Sequence, residues 1–297
     1  MNDSLVYDYE TTAEMLAICE RESISISELT QRREAIFSGI SREENFEKMR
    51  GHFRTMRQSV RRGLEIVSSS PSGLSGGDAK KILEYANSGN ALLGVDLTRL
   101  VAYGYAVLET NAQFGKIVAT PTAGSAGIVP ACLTLLEETR GIDENTLTNA
   151  LFTASGIGMV IADKAFIAGA QGGCQAEVGS ASCIAAAAIV EALGGTPRQA
   201  CAAATFALIN TLGLVCDPIG GFVEVPCVSR NGMFAVHSYL AAGLALAGIC
   251  PRVTLDDAIF AMRDIGRRMP AELRETSKGG LAISPSACAR CRGTSAS

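Results

Sequence analysis

Tryptophan is absent from this 297-residue chain, aromatic residues make up only 5%, and there are just two histidines. A β-sandwich draws on aromatic and β-branched side chains for its packed faces, so this shortage argues against one. Charge is scarce as well. Asp, Glu, Lys and Arg supply 19% of the residues against 47% hydrophobic, a balance that excludes global disorder. The formal net charge of −4 leaves no basic excess to grip a phosphate backbone, so nucleic acid is not expected as a partner. No alternating apolar–polar run is long enough for a sheet, Val223-Glu224-Val225 being at most a short strand, and no repeat recurs at a fixed period. Met1-Asn2-Asp3-Ser4 shows no basic-then-apolar secretory pattern, which points to the cytoplasm. In that compartment ten cysteines are reduced or metal-bound and do not form a disulfide framework.

What fills the chain instead is Ala, Gly, Leu, Ile and Val at helical spacing, and the expected class is all-α. Three parts follow from the composition: an N-terminal helical arm over 1–67, a helical domain over 68–275 and a tail over 276–297. In the arm, Thr11 and Thr12 cap a first helix. A longer helix runs from Ser27 past Arg50, with Leu29, Ile36, Ile40, Phe46, Met49, Phe53, Met56 and Val60 as its apolar stripe. That stripe docks on the core or meets a partner subunit. The Gly/Ser/Pro loop over 68–77 is the best boundary, and Asp78 after it caps a helix over 78–86. Further helices are expected at about 96–114, 142–157, 177–193, 197–211, 231–249 and 253–269. Gly194-Gly195 stops one, and Thr196-Pro197 starts the next. Residues 232–250 carry no Asp, Glu, Lys or Arg over 19 positions, long enough to consider a membrane span. Their Ala and Gly content, with His237 and Ser238 inside and no aromatic belt, favours a core helix.

Two stretches stand out chemically. Thr120-Pro121-Thr122-Ala123-Gly124-Ser125-Ala126-Gly127 sets hydroxyls and small residues at a helix start, where free N–H groups suit a carboxylate or phosphate. Gly/Ser/Thr loops are more often plain turns. The second stretch is 171–227. Cys19, Cys132, Cys183, Cys201 and Cys250 sit in or at the ends of apolar helical runs and read as small hydrophobes. Cys174, Cys216 and Cys227 instead adjoin chain-bending Gly or Pro, spaced C-x41-C-x10-C. That spacing fits neither paired zinc-finger units nor compact ferredoxin runs. Zinc, copper and iron–sulfur all remain open. If the metal is a four-iron cluster, three thiolates leave one iron with an open Lewis-acid position.

The chain resembles the α chain of the iron–sulfur-dependent L-serine dehydratases. The resemblance is carried by Gly76-Gly77-Asp78-Ala79-Lys80, by Pro121 to Gly127, and by Gly172-Gly173-Cys174-Gln175-Ala176-Glu177-Val178-Gly179. It continues through Leu212-Gly213-Leu214-Val215-Cys216-Asp217-Pro218, Val223-Glu224-Val225-Pro226-Cys227 and Arg230-Asn231, and ends with Arg274-Glu275-Thr276-Ser277-Lys278-Gly279-Gly280-Leu281-Ala282. It implies a helical domain around a buried [4Fe–4S] cluster held by Cys174, Cys216 and Cys227. The implied reaction takes L-serine to pyruvate and ammonia. Thr120, Thr122, Ser125 and Gly127 would hold the substrate carboxylate. Lys80 is the residue we name as base, with Glu177, Asp217 and Glu224 as alternatives. Glu177 and Asp217 also read as helix caps or supports of the cysteines. The family's Ser-Ser-His-Thr motif is missing: His52 and His237 have other neighbours, and His237 reads as a core histidine. Lys164 and Ala168 stand where the family carries Asn or Ser. In the family the region with the missing motif can be a separate β chain, so a β chain is expected as partner. Cys288 or Cys291 of the tail is a candidate cap for the open iron. L-cysteine desulfidation on the same scaffold and a non-catalytic iron–sulfur subunit are the alternatives. A pyridoxal enzyme is disfavoured, because no Gly-rich loop is paired with a convincing Schiff-base lysine.

Overall fold

A computed structural model describes residues 6–287. In chain order its helices are α1 (Thr12–Glu22), α2 (Ile26–Ser38), α3 (Arg42–Glu65), α4 (Asp78–Asn87), α5 (Gly94–Ala112) and α6 (Ile128–Arg140). They continue with α7 (Glu144–Lys164), the short α8 (Gly169–Gly172), α9 (Ser180–Ala192), α10 (Pro197–Ile209), α11 (Cys227–Leu246) and α12 (Leu255–Arg268). The all-α class is borne out. Among the described residues the isolated β pairing is one parallel bridge between Cys216 and Arg274, and Val223-Glu224-Val225 forms bends and a turn instead of a strand. The tail cysteines Cys288 and Cys291 lie outside the described residues.

The core is built on α9, whose sequence SASCIAAAAIVEA is buried at every position except Glu191. Helices α6, α7, α10 and α11 pack round it. Alanine has almost no side-chain volume, so neighbouring axes can approach toward the short end of the usual spacing of about 8–10 Å. The same logic brings α5 against α11: a Cβ on Gly104 would stand 2.7 Å from the backbone of Gly232, so the two helices meet main chain to main chain. That contact seats Asn231, the residue before Gly232, over the start of α6. No described helix is long and apolar enough to cross a membrane. Helix α11 buries Asn231, Gly232, Ala235, Ser238, Ala241, Ala242 and Ala245, while Met233 and Leu240 on its outer face are exposed.

Local capping follows the sequence in places and departs from it in others. Thr11 caps α1 and Thr196 caps α10, each in a full capping box with Glu14 or Gln199. The single long helix expected from Ser27 onward is two. Gly39 ends α2 in the left-handed conformation at φ +69°, and Ser41 opens α3 by accepting from the Glu44 N–H. Leu29, Phe53, Met56 and Val60 still face the core, but Ile36 is exposed. Cys250 is also exposed, not a buried small hydrophobe like the other four cysteines of its group.

Asp78 is not the cap of α4. The cap position belongs to Gly77, and the acceptor comes from elsewhere: the fully buried Glu109 of α5 takes the N–H groups of Gly77, Asp78 and Ala79 at 3.0, 2.8 and 3.3 Å. Burial pushes the Glu109 carboxyl above its usual range, and the three donors pull the other way. Glu109→Ala strands three donors at a buried helix start. It is expected to cost about 1–3 kcal/mol in urea unfolding; a loss below about 0.5 kcal/mol would contradict this account of the cap.

Candidate active site

The three motif cysteines come together. Cys174 follows α8, Cys216 lies in the connection after α10, and Cys227 is the first residue of α11. Their exposures are 2%, 3% and 6%. Burial is the main force on all three thiols. It drives Cys174 up to about 11 and Cys227 up to about 12, with Cys216 higher still; Cys174 adds to the rise of both other thiols, and Cys227 to that of Cys216. Free thiols so placed stay protonated at neutral pH. A bound metal would be needed to hold them as thiolates.

Each cysteine is placed by a specific local device. Cys174 is followed by a single π-helical turn, Gln175–Gly179. Such turns often accompany functional sites. Gln175 in that turn is fully buried, with its amide donating to the carbonyls of Gly172 and Met262 and its oxygen accepting from Gly213. Its backbone N–H also donates to Leu214, so one residue ties the Cys174 turn to the strand of chain that reaches Cys216. Cys216 itself is held by backbone bonds in both directions: its N–H donates to Leu273, and its carbonyl accepts from Glu275. The turn before Cys227 is anchored by Glu224, whose carboxylate accepts from the hydroxyls of Ser70 at 2.6 Å, Ser72 at 2.5 Å and Ser75. The serine-rich loop over 68–77 therefore packs onto the cysteine framework.

Between these segments lies a partly enclosed cavity of about 170 Å³. It is lined by Thr122, Glu177, Cys216, Cys227 and Glu275, with Gly124 and Pro218 among the remaining wall residues. Gly169 borders the same region: a Cβ there would sit 2.8 Å from the Cys216 sulfur, so only glycine leaves the thiol its space. Among the described residues no three His, Cys, Asp or Glu side chains are gathered closely enough to hold a single metal ion.

The predicted substrate loop reaches this cavity through Thr122, Ala123 and Gly124. Here Ala123–Ser125 form a short 3-10 turn ahead of α6. Ser125 is fully buried and donates to the Thr120 carbonyl at 3.0 Å, so its hydroxyl shapes the loop. The Gly127 N–H donates to Asn231 Oδ1 at 2.7 Å and is already used. Thr120 has a buried hydroxyl oxygen with no partner. Asn231, which the motif reading named without a role, donates from its amide to both Gly124 and Cys227 at 2.8 Å. It locks the substrate loop to a cysteine-bearing helix start.

The acid and base candidates separate cleanly. Asp217 is occupied: it pairs with Arg230 at 3.2 Å and accepts from the Leu281 N–H, and a side chain on Gly280, at φ +58°, would run into it. Glu224 is held by its three serines. Lys80 is half-buried on the first turn of α4 and is not among the cavity-lining residues. Lys164 pairs with Glu10 at 2.6 Å. His237 contacts the Ala207 carbonyl at 3.0 Å, in keeping with a helix-packing role, and neither it nor the exposed His52 lines the cavity. Glu177 does line it. Burial pushes the Glu177 carboxyl up and Glu275 adds to that, while Thr122, the Gly169 amide and Arg230 draw it down. Glu275 had no role in the sequence reading. Nothing in Arg274-Glu275-Thr276-Ser277 announces its position, because the chain reaches the cavity there only through the Cys216 backbone bridge.

A family model described as serine dehydratase alpha chain matches residues 14–282. The chain belongs to the serine dehydratase alpha-chain family. It is 46% identical over 277 residues to a probable L-serine dehydratase, alpha chain, of Bacillus subtilis (strain 168), covering 93% of this chain and 92% of that one. It is 43% identical to the L-serine dehydratase, alpha chain, of Peptoniphilus asaccharolyticus, covering 92% and 93%. L-serine dehydratase 1 of Escherichia coli (strain K12) is 36% identical over 94% of this chain, yet the match spans only 63% of that longer protein. Members of the family thus occur both at this length and with a further third of sequence in the same polypeptide.

Proposed function

We propose that this chain is the cluster-bearing subunit of an L-serine ammonia-lyase, which takes L-serine to pyruvate and ammonia. The observation that carries the reading is the meeting of Cys216 and Cys227 with Thr122 and Glu177 on one cavity wall, with Cys174 buried close enough for its charge to act on both other sulfurs, in a chain of the serine dehydratase alpha-chain family. Three buried thiols grouped together but not drawn to one point suit a polynuclear cluster better than a lone zinc ion with its tight tetrahedron. The donor set fits a [4Fe–4S] cluster held by these three cysteines. When bound, such a cluster supplies a Lewis acid that makes hydroxide a better leaving group.

The rest falls to the protein. Thr122, Ala123 and Gly124 of the loop before α6 line the cavity and are assigned to the substrate carboxylate. Glu177, lifted by burial toward the working range of a base, takes the Cα proton. The electron pair left on Cα forms the double bond as hydroxide departs and is protonated to water. The aminoacrylate released becomes an imine and hydrolyses to pyruvate and ammonia. Asn231 keeps carboxylate site and cysteine framework in register. The extra third of the longer relatives, set beside the alpha-chain names of the nearer ones, supports a separate β chain as partner.

Parallel assays under anaerobic conditions test the substrate. Pyruvate from L-serine at a kcat/KM at least about tenfold above that from L-cysteine, a difference of about 1.4 kcal/mol, is expected. Preferential sulfide release from L-cysteine would replace this reading with desulfidation.

A further inference from the structure

The charge-free stretch over 232–250 is only half explained by the fold. Helix α11 hides one side in the bundle, but its other side faces outward, with Met233 66% and Leu240 62% exposed. A surface helix ordinarily carries charged side chains on its solvent face. Here no Asp, Glu, Lys or Arg stands anywhere between Arg230 and Arg252. Along the outer face run Met233, Val236, Leu240, Gly243 and, at the C-cap, Ala247. Their spacing is three, four, three, four, the a/d repeat of a coiled-coil seam. The half-buried Tyr105 of α5, beside Gly232, widens the apolar surface at one end, and the exposed Leu246 and Ile249 extend it at the other.

The order of residues along the seam points to its occupant. Met233 stands seven positions before Leu240 and Ala247 seven after it; the half-buried His237 stands three before and Gly243 three after. An antiparallel copy of α11 crossing at Leu240 therefore sets Met233 and His237 each against a small partner, Ala247 and Gly243. Gly243 has the room, since a Cβ built there meets nothing within 4 Å. Glycine weakens a helix interior, and at Gly104 and Gly232 the fold uses it to bring two helices together main chain to main chain. Gly243 offers the same close approach on a face turned away from the bundle. Charge agrees. About a two-fold axis a seam meets itself, so an uncharged one meets no like charge, and the flanking charges that would select a different partner are absent.

We propose that the outer face of α11 is a self-complementary interface, on which a second copy of this chain docks antiparallel about a two-fold axis at Leu240. The interface is independent of the lyase reading.

Sedimentation equilibrium of the full chain, purified anaerobically, tests it, both alone and with its second chain. The wild-type chain is expected at twice its 31.0 kDa, and the complex with two copies of this chain. Leu240→Glu sets two carboxylates face to face across the axis. It is expected to weaken the dimer at least about 100-fold, as juxtaposed like charges do, with helical circular dichroism unchanged because the side chain is exposed. Gly243→Leu adds apolar surface where the single chain has room, yet it blocks the close approach of the two helices. It should weaken the dimer at least about tenfold, whereas non-specific apolar association would tighten. Phe260→Glu, on an exposed apolar residue of α12, should leave the dimer intact. A wild-type chain that stays monomeric at about 100 μM, above the range in which specific interfaces form, would overturn the proposal. So would a Leu240→Glu or Gly243→Leu chain that remains as dimeric as wild type. Loss of the second chain from Leu240→Glu with self-association intact would assign the face to that chain and overturn it as well.

Discussion

Glu177→Gln is expected to lower kcat for L-serine about 10²- to 10⁴-fold, the usual weight of a positioned general base, with the cluster retained and KM changed far less. Glutamine preserves the shape of the side chain in its buried wall and removes only the ability to take a proton. The other acids named from the sequence do not have that freedom. Asp217 is consumed by Arg230 and Leu281, and Glu224 by three serine hydroxyls. Glu177 alone of those three lines the cavity, and its carboxyl is raised chiefly by burial, the direction that brings a carboxylate toward useful basicity. A kcat within about threefold of wild type, well under the usual effect of a base, would move that role to the second chain.

The second large effect concerns the sulfurs. Cys216→Ala, and equally Cys174→Ala and Cys227→Ala, is expected to lose bound iron and to reduce turnover by more than the roughly 10–100-fold that loss of even an outer partner of a metal site costs. Cys183 provides the contrast. It is fully buried in α9, and burial drives its thiol up as well, but the one thiol whose charge acts on it is Cys201 and none of the motif cysteines. Cys183→Ala should therefore keep iron and activity and cost only stability, roughly 1 kcal/mol by denaturant unfolding. Iron content and visible absorbance read the difference between the two groups. Full iron and full turnover in any one of the three motif-cysteine variants would remove that cysteine from the ligand set.

Much of this architecture is written locally in the sequence. Thr11 with Glu14 and Thr196 with Gln199 declare helix starts within four residues, and the missing alternation declares the absence of sheets. The three chemically distinct cysteines were separable from their neighbours because Gly and Pro beside them bend the chain. What was not legible depends on contacts remote in sequence. Asp78 looked like a cap because it is the acid nearest the helix start, yet Glu109, 31 residues from it, does the capping. The loop over 68–77 reads in sequence as a boundary, yet its serines close on a carboxylate about 150 residues away, with separations of 154, 152 and 149. Glu275 was invisible for another reason. It reaches the cavity wall through a backbone hydrogen bond to the Cys216 carbonyl, which its residue type does not encode. Asn231 likewise reads as one polar residue at a helix start until its three partners are seen converging from two segments.

The central claim is that catalysis passes through a cluster on Cys174, Cys216 and Cys227. The direct measurement is the rate of pyruvate formation from L-serine against iron and sulfide content, taken anaerobically on the chain with its second chain as the cluster is progressively rebuilt. The account predicts a rate that rises in proportion to cluster occupancy, reaches its plateau at about four irons and four sulfides per chain, and vanishes in the iron-free protein. Full-rate pyruvate formation by the iron-free protein would contradict it.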